Sequence, residues 1–285
     1  MKIAILSDIH GNLPALAATA VDILKWQPDL TIVNGDIVNG GPCSLACWQF
    51  VLAQQKKHGW HLLRGNHEDY VVEWTEPDAP HSGPHFDLRQ FSWWTYKQLN
   101  GDVMGLAALP DRFSWQAPDG STLFVIHASI WGNRTGIYPH TPLEDMRQRI
   151  APYPTVFVTA HTHWPFTRQL ADTLLVNVGS VGLPGDGDQR TSYGRITWTP
   201  TQGWQAKIKR IDYALEQIER DYVQSGFFAD AGPGAALTLV ELRTARDAKT
   251  RWSKIYRQRI LAGEISMETA VAEFLAAPEF KPYWP

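Results

Sequence analysis

Five short apolar runs in this chain each end in side chains that ligate metals, and this pattern restricts the fold more than any other feature. Apolar runs rich in β-branched residues and closed by polar residues are typical of buried strands. Ligands bind at the carboxyl ends of the strands in open α/β sheets, so the pattern predicts a ligand site there. The runs 2–7, 30–35, 60–65, 122–126 and 156–160 are followed by Asp8 and His10, Asp36, Asn66 and His67, His127, and His161 and His163, respectively.

The residue types in this set indicate a divalent metal. Imidazole nitrogen combined with carboxylate and amide oxygen suits hard-to-borderline divalent ions. Asp36 is central because the two oxygens of one carboxylate can bridge two ions. Each motif alone has an ordinary explanation, since an Asp-x-His sequence arises by chance and His161 and His163 could be surface imidazoles. The occurrence of all five together is what favours a metal site.

The order of the predicted elements indicates an α/β fold. The first three strands alternate with two predicted helices, one starting near Pro14 with Asn12 as its cap and one over 44–57. From residue 121 onward further strands are predicted, and the last two, 192–198 and 203–211, alternate in polarity and form a hairpin. We expect two stacked mixed β-sheets flanked by helices, an α/β/β/α sandwich, with a C-terminal helical appendage.

The pattern after residue 212 is helical, which predicts a core domain over 1–212 and a C-terminal extension over 213–285 packed on it. Apolar residues at helical spacing from Leu242 to Ile255 predict one helix that ends at Gly263, and Ser266 is expected to cap another. Seven basic and two acidic residues give the segment 241–259 a net charge of +5. Such a helix either attracts a phosphate-rich ligand or nucleic acid, or is a solvated face.

Composition narrows the classes of protein further. The chain has 285 residues, 44% of them hydrophobic and 19% charged, as in an ordinary globular protein, and its net charge of −3 argues against a nucleic-acid binder. No apolar run approaches the ~20 residues of a membrane span, and the N-terminus turns polar too early for a signal peptide. The two cysteines, Cys43 and Cys47, are expected to be packed or surface thiols. We therefore expect a cytoplasmic protein without a membrane partner.

The same residues resemble a known family over roughly 1–200. The blocks Asp8-Ile9-His10, Gly35-Asp36-Ile37-Val38-Asn39, Gly65-Asn66-His67-Glu68, His127 and His161-Thr162-His163 are similar, in order, to those of the calcineurin-like metallophosphoesterases. The segments 7–12 and 176–182 resemble the bacterial and archaeal small-phosphoesterase branch.

The resemblance implies two divalent metal ions, with Mn²⁺ expected and Fe, Zn or Ni as alternatives. It implies a small phosphate-ester substrate, nucleotide-like or a phosphodiester, hydrolysed by a hydroxide held between the ions. His67 matches the histidine that protonates the leaving oxygen. The implied ligands are Asp8, His10, Asp36 and His163 for one ion, and Asp36, Asn66, His127 and His161 for the other.

Some positions depart from the family pattern and leave alternatives open. Protein Ser/Thr phosphatases carry Asp-Arg-Gly where this chain has Asn39-Gly40-Gly41, which argues against a phosphoprotein substrate unless Arg64 compensates. Asn12 and Arg190 are candidate substrate contacts, although Arg190 could equally form a surface salt bridge. The alternatives are a protein phosphatase, a nuclease, or a binding module that holds metal without catalysis. The presence of His67 beside Asn66 argues against the last.

Overall fold

The computed structural model describes residues 1–284, and the strands in that range form two five-stranded sheets. The first sheet has the order β10-β9-β1-β2-β3, and the second has the order β4-β5-β6-β8-β7. In chain order the strands are β1 (Lys2–Leu6), β2 (Leu30–Asn34), β3 (His61–Leu63), β4 (Arg112–Gln116), β5 (Thr122–Ile126), β6 (Val156–Thr159), β7 (Phe166–Leu170), β8 (Thr173–Asn177), β9 (Thr191–Thr199) and β10 (Gly203–Ile211).

Helices connect the strands and follow the last of them. The predicted Asn12 cap is confirmed, because its Oδ1 accepts a hydrogen bond from the amide of Ala15 at 3.1 Å. The helices are α1 (Leu13–Trp26), α2 (Ser44–His58), α3 (Asn66–Val72), α4 (Pro84–Asp87), α5 (Gln90–Gln98), α6 (Met104–Ala107), α7 (Leu143–Ile150), α8 (Leu215–Gln224), α9 (Phe227–Asp230), α10 (Gly234–Thr244), α11 (Ala248–Leu261) and α12 (Met267–Leu275).

Both sheets are mixed, and their parallel strands set the position of the candidate site. In the first sheet β1 pairs in parallel with β2, with Leu6 opposite Val33, so the residues that follow the two strands lie at one edge. In the second sheet β5 pairs in parallel with β6, with Val125 opposite Val158. The outer pairs β9–β10, β4–β5 and β7–β8 are antiparallel, which confirms the predicted hairpin of the last two strands.

Alternation along β1 shows how the layers pack. Ile3 and Ile5 are buried against residues of the second sheet, including Val125 and Val158. Ala4 and Leu6 point the other way, into a cluster formed with α1 and α2. The far side of the second sheet packs on α7, whose Met146 and Ile150 are buried there. The predicted α/β/β/α sandwich with C-terminal helices is therefore confirmed.

The C-terminal helices pack on the core through a shared apolar cluster. Ile218, Tyr222 and Phe227 are buried against Trp94 and Leu183 of the preceding segment. The division at residue 212 stays a prediction. No helix within residues 1–284 has both the length and the apolar character needed to cross a membrane.

One predicted helix is wrong. The stripe from Leu242 to Ile255 is interrupted, since α10 ends at Thr244, Ala245 adopts a left-handed φ of 49° and Asp247 caps α11. The buried side of α11 follows Ala248, Trp252, Tyr256 and Ile260, so Ile255 lies outside it and its side chain is 54% exposed. Ser266 caps α12 as predicted, by accepting a hydrogen bond from Thr269.

Candidate metal centre

The loops after the strands hold the predicted ligands in an uncommon backbone conformation. Asp8, His10, Asp36, His161 and His163 all have left-handed φ values, between 49° and 64°. For residues other than glycine this conformation costs of order 1–3 kcal/mol each, and it persists where the surroundings impose it. Here the carbonyl of Asp36 accepts hydrogen bonds from the amides of Ile9 and His10, at 2.7 and 3.0 Å. These bonds fasten the first two strand ends together.

Asp8, His10 and His163 form the first group of ligand atoms, which all lie within 4.8 Å of one another. The Oδ1 atom of Asp8 is 3.3 Å from Nε2 of His163 and 3.8 Å from Nε2 of His10. The two Nε2 atoms are 3.1 Å apart. Asp8 Oδ1 is buried and accepts no hydrogen bond within residues 1–284, so its lone pairs face the histidines.

Asp36, His127 and His161 form the second group, again within 4.8 Å. Nε2 of His127 is 3.3 Å from Oδ2 of Asp36 and 3.0 Å from Oδ1 of Asn66. Asp36 also lies 3.7 Å from His10 of the first group. The carboxylate of Asp36 therefore stands between the two groups.

Backbone carbonyls orient two of the histidines. Nδ1 of His10 is 2.8 Å from the carbonyl oxygen of Asn39, and Nδ1 of His127 is 2.8 Å from that of Asn34. Because a carbonyl only accepts, each Nδ1 carries a proton, and each Nε2 is directed into the cluster. Nitrogen and oxygen atoms that converge at 3–4 Å can ligate a cation once each Nε2 is deprotonated. These groups can hold metal ions.

The charges of the clustered side chains also favour a bound cation. Burial alone would raise the pKa of Asp8 and of Asp36, but neighbouring histidines, His163 and His127 respectively, outweigh burial and keep both carboxyls below their usual range. Burial would lower the pKa of His127, yet Asp36 and Asp8 raise it to about 10. Burial and the adjacent His127 lower the pKa of His161 to about 4. The carboxylates are thus anionic and attract positive charge, which a divalent cation supplies.

Glu68 supports the site, and the sequence analysis did not assign it a role. Its buried carboxylate accepts hydrogen bonds from the amides of Asp36, Gly65, Ile37 and Val38, at 2.7, 2.8, 2.7 and 3.2 Å. Burial and the Asp36 carboxylate raise its pKa to about 7, while these donors favour the anion. Glu68 therefore joins the loop after β2 to the loop after β3.

Two glycine positions leave room for the ligands. A Cβ atom at Gly65 would collide with the carboxylate of Asp36. Gly40 has φ +104°, and a Cβ there would lie 3.2 Å from Nδ1 of His10. Gly40 belongs to the segment Asn39-Gly40-Gly41, where protein Ser/Thr phosphatases carry Asp-Arg-Gly. Because Gly40 has no side chain, this segment can pack against His10.

Helices from both parts of the chain line the cavity over the cluster, which has a volume of about 140 Å³. His10, Asp36 and His163 form part of its wall, and Lys249 and Arg246 of the C-terminal helices form another part.

Comparison with known proteins gives the family. The sequence model of the calcineurin-like phosphoesterases matches residues 1–181, more than half of the chain. The chain belongs to the calcineurin-like phosphoesterase family. Its match ends before the C-terminal helices.

Individual relatives are distant. The chain is 24% identical over 248 residues to the uncharacterized protein MJ0912 of Methanocaldococcus jannaschii, covering 78% of this chain and 92% of the relative. The fold is similar to that of a metallophosphoesterase from Sphaerobacter thermophilus, with TM-score 0.66, 22% identity and coverage of 86% and 100%. It is also similar to hypothetical protein PH1004 of Pyrococcus horikoshii, with TM-score 0.68, 18% identity and coverage of 82% and 97%. These two likenesses show the fold alone.

His67, the predicted general acid of this calcineurin-like phosphoesterase, forms a third group with His10 and Asp36, whose ligand atoms also lie within 4.8 Å of one another. Its ring centroid is 4.5 Å from that of His10, and its backbone amide donates to Oδ1 of Asp36 at 2.8 Å. Nδ1 of His67 is buried and forms no hydrogen bond within residues 1–284. Burial lowers its pKa well below the usual range, against the opposing effect of Asp36. Its role as an acid stays a prediction.

The predicted substrate contacts lie elsewhere in the calcineurin-like fold. Besides capping α1, Asn12 donates from Nδ2 to the carbonyl of Gly182 at 3.0 Å, so its amide is already used within the chain. Arg190 pairs with Asp188 at 2.7 Å and lines a neighbouring cavity of about 870 Å³, which shares Arg246 with the cavity over the cluster. Arg64 pairs with Asp69 at 3.2 Å. Substrate binding by Asn12 and Arg190 stays a prediction.

Proposed function

We propose that this protein is a binuclear metal-dependent phosphoesterase that hydrolyses a small phosphate ester. The observation that carries the proposal is the pair of ligand groups that meet at Asp36, in which carboxylate oxygens and imidazole nitrogens converge. Membership of the calcineurin-like phosphoesterases supports the reaction class.

The proposed first ion is held by Asp8, His10, Asp36 and His163, and the second by Asp36, Asn66, His127 and His161. Mn²⁺ is the proposed metal, because four of the seven ligand residues are histidines and Mg²⁺ prefers oxygen ligands. When bound, a pair of such ions activates water and neutralises the charge of a phosphate group.

The residues of the chain itself supply position and a proton. His67 is proposed to donate the proton that the leaving oxygen needs, from a ring whose Nδ1 has no other partner. An anionic phosphate next to His67 favours the imidazolium, because an opposite charge stabilises the charged form.

The size of the cavity favours a small substrate. A volume of about 140 Å³, bounded on one side by the C-terminal helices, suits a small ester better than a protein or a nucleic acid. The missing arginine motif at 39–41 argues separately against the protein-phosphatase alternative. A cytoplasmic location is part of the proposal.

The test is an activity screen of purified protein that has been stripped with a chelator and reloaded with one metal at a time. Phosphomonoesters, phosphodiesters and dinucleoside polyphosphates are the substrates. We expect metal-dependent hydrolysis of at least one class, which disappears in Asp36→Ala. Metal binding without hydrolysis of any class would instead favour the non-catalytic binding module.

A further inference from the structure

Two cationic side chains of the C-terminal helices line the same cavity as the metal ligands. Arg246 lies in the short connection between α10 and α11, and Lys249 lies in the first turn of α11. Nζ of Lys249 is 4.8 Å from the ring centroid of Phe91, and that ring is 6.5 Å from the ring of His67. Lys249 and the proposed general acid thus both lie near the ring of Phe91.

Neither cation forms a close ion pair within residues 1–284, although Glu241 interacts with Lys249: burial raises the pKa of Glu241 to about 7, and the Lys249 ammonium opposes that rise. The neighbouring arginines are paired: Arg190 with Asp188, Arg243 with Glu219 and Arg251 with Glu279, at 2.7, 2.6 and 2.5 Å. Arg246 and Lys249 form no ion pair and donate no side-chain hydrogen bond in that range. Both cations are therefore available to a ligand.

The acidic residues of this wall are used in holding α11. Glu241 accepts a hydrogen bond from the backbone amide of Lys249 at 2.7 Å, and Asp247 accepts one from that of Thr250 at 2.9 Å. These bonds satisfy the start of α11, so its backbone amides do not form the anion site. The positive charge on this side of the cavity comes from the side chains of Arg246 and Lys249, and the carboxyl groups of Glu241 and Asp247 lie on the same side.

Backbone contacts fix this wall relative to the metal ligands. The amide of Gly185 donates to the carbonyl of His163 at 3.0 Å, and the amide of Gly187 donates to the carbonyl of Ala245 at 2.8 Å. Asp186 and Arg246 also form a β-bridge. The segment 185–187 is therefore hydrogen-bonded both to the metal ligand His163 and to the connection that carries Arg246.

We propose that Arg246 and Lys249 form an anion-binding subsite that takes a second anionic group of the substrate, next to the phosphate at the metal centre. This deepens and rests on the proposed function: the substrate class becomes a small phosphate ester that carries another phosphate or a carboxylate. Arginine binds such groups through two parallel hydrogen bonds, and lysine binds them as a point charge.

Two phosphonates that cannot be hydrolysed test the subsite independently of turnover. Propylphosphonate carries one anionic group, and propane-1,3-diphosphonate carries a second on a flexible tether. Binding of each to the full-length, Mn²⁺-loaded protein is measured by calorimetry at fixed free metal. We expect the diphosphonate to bind about 10-fold more tightly or better, since one charge-assisted hydrogen bond supplies a factor of this size.

The variants assign that preference to the two side chains. Arg246→Gln combined with Lys249→Gln should abolish it, whereas Lys254→Gln with Arg257→Gln removes the same charge from the exposed face of α11 and should keep it. Arg246→Lys with Lys249→Arg should also keep it. A preference that survives the first pair, falls equally in the control pair, or is absent from the wild type overturns the subsite. A wild type that prefers the diphosphonate but hydrolyses no ester leaves the subsite standing and refutes the enzyme.

Discussion

At the residue scale, the proposed pair of metal ions depends on Asp36 more than on any other side chain. One carboxylate oxygen faces His127 at 3.3 Å and His10 at 3.7 Å, and the other accepts from the amide of His67. Asp36→Ala removes a ligand from both proposed ions at once. We expect elemental analysis to find two ions per chain in the wild type and none, or nearly none, in the variant. The exposed Asp78→Ala is the control, and full occupancy in Asp36→Ala would disprove the shared carboxylate.

His67 is predicted to act on the leaving group and not on metal binding. General acid catalysis contributes ~10²–10⁴-fold when the leaving oxygen needs a proton. His67→Ala should therefore lower kcat strongly for an alkyl or nucleoside ester and much less for a nitrophenyl ester, with metal content unchanged. An equal loss on both esters would place His67 in phosphate binding, and a loss of metal would place it among the ligands.

Glu68 is predicted to stabilise the two loops that carry Asp36 and Asn66, a role that the sequence block Gly65-Asn66-His67-Glu68 does not suggest. Four backbone amides donate to one buried carboxylate, and each buried donor left unpaired costs about 1–3 kcal/mol. Glu68→Gln replaces one acceptor oxygen by a donor. We expect a lower free energy of unfolding, by about 2 kcal/mol or more, and weaker metal binding. Denaturant unfolding measures the first, and the exposed Glu76→Gln should change neither.

The contrast between Asp36 and Glu68 shows which roles of residues can be predicted from the sequence and which cannot. Ligand residues are predictable because each follows an apolar strand and their chemistry is visible in the residue type. The role of Glu68 depends on four amides from two loops, which only the folded backbone brings together. The left-handed φ values at Asp8, His161 and His163 are hidden for the same reason, since residue type does not indicate them.

At the element scale, the elements predicted correctly are those with strong local signals. Buried β-branched strands such as β2 and capped helices such as α1 were found close to their predicted ends. The edge strands β4 and β7 were not predicted, because their outward residues are polar and the apolar pattern is weak. The break at Ala245 was missed because alanine favours helix, and the left-handed turn there is imposed by packing.

Helix ends offer a prediction that is independent of function. Gln27 ends α1 with φ 54° and is exposed. This left-handed conformation costs folding free energy for a residue with a side chain, whereas glycine adopts it freely. Gln27→Gly should raise the free energy of unfolding by about 1 kcal/mol. Gly59 ends α2 with φ 68° and open space around it, so Gly59→Ala should lower it by a similar amount. Two changes of the same sign in denaturant unfolding would contradict this account.

At the scale of the whole molecule, the candidate metal ligands lie where the two sheets meet. Asp8 and Asp36 follow strands of the first sheet, whereas His127 and His161 follow strands of the second. An ion bound by ligands from both sheets would link the two sheets. Global unfolding separates the sheets and would therefore release the ion. Metal binding is therefore coupled to the stability of the entire fold, and the two proposed ions should act together.

This coupling predicts that metal raises the unfolding temperature. A ligand at about 100 times its dissociation constant stabilises the native state by ~2.7 kcal/mol, which for a chain of this size corresponds to a rise of ~5 °C or more. We expect Mn²⁺ added to chelator-treated protein to give such a rise, and Mg²⁺ to give a smaller one because the cluster is rich in imidazole. Asp36→Ala should show no rise with either ion. Equal shifts with Mn²⁺ and Mg²⁺ in the wild type would contradict the histidine ligands, and a rise that persists in Asp36→Ala would place the metal at another site.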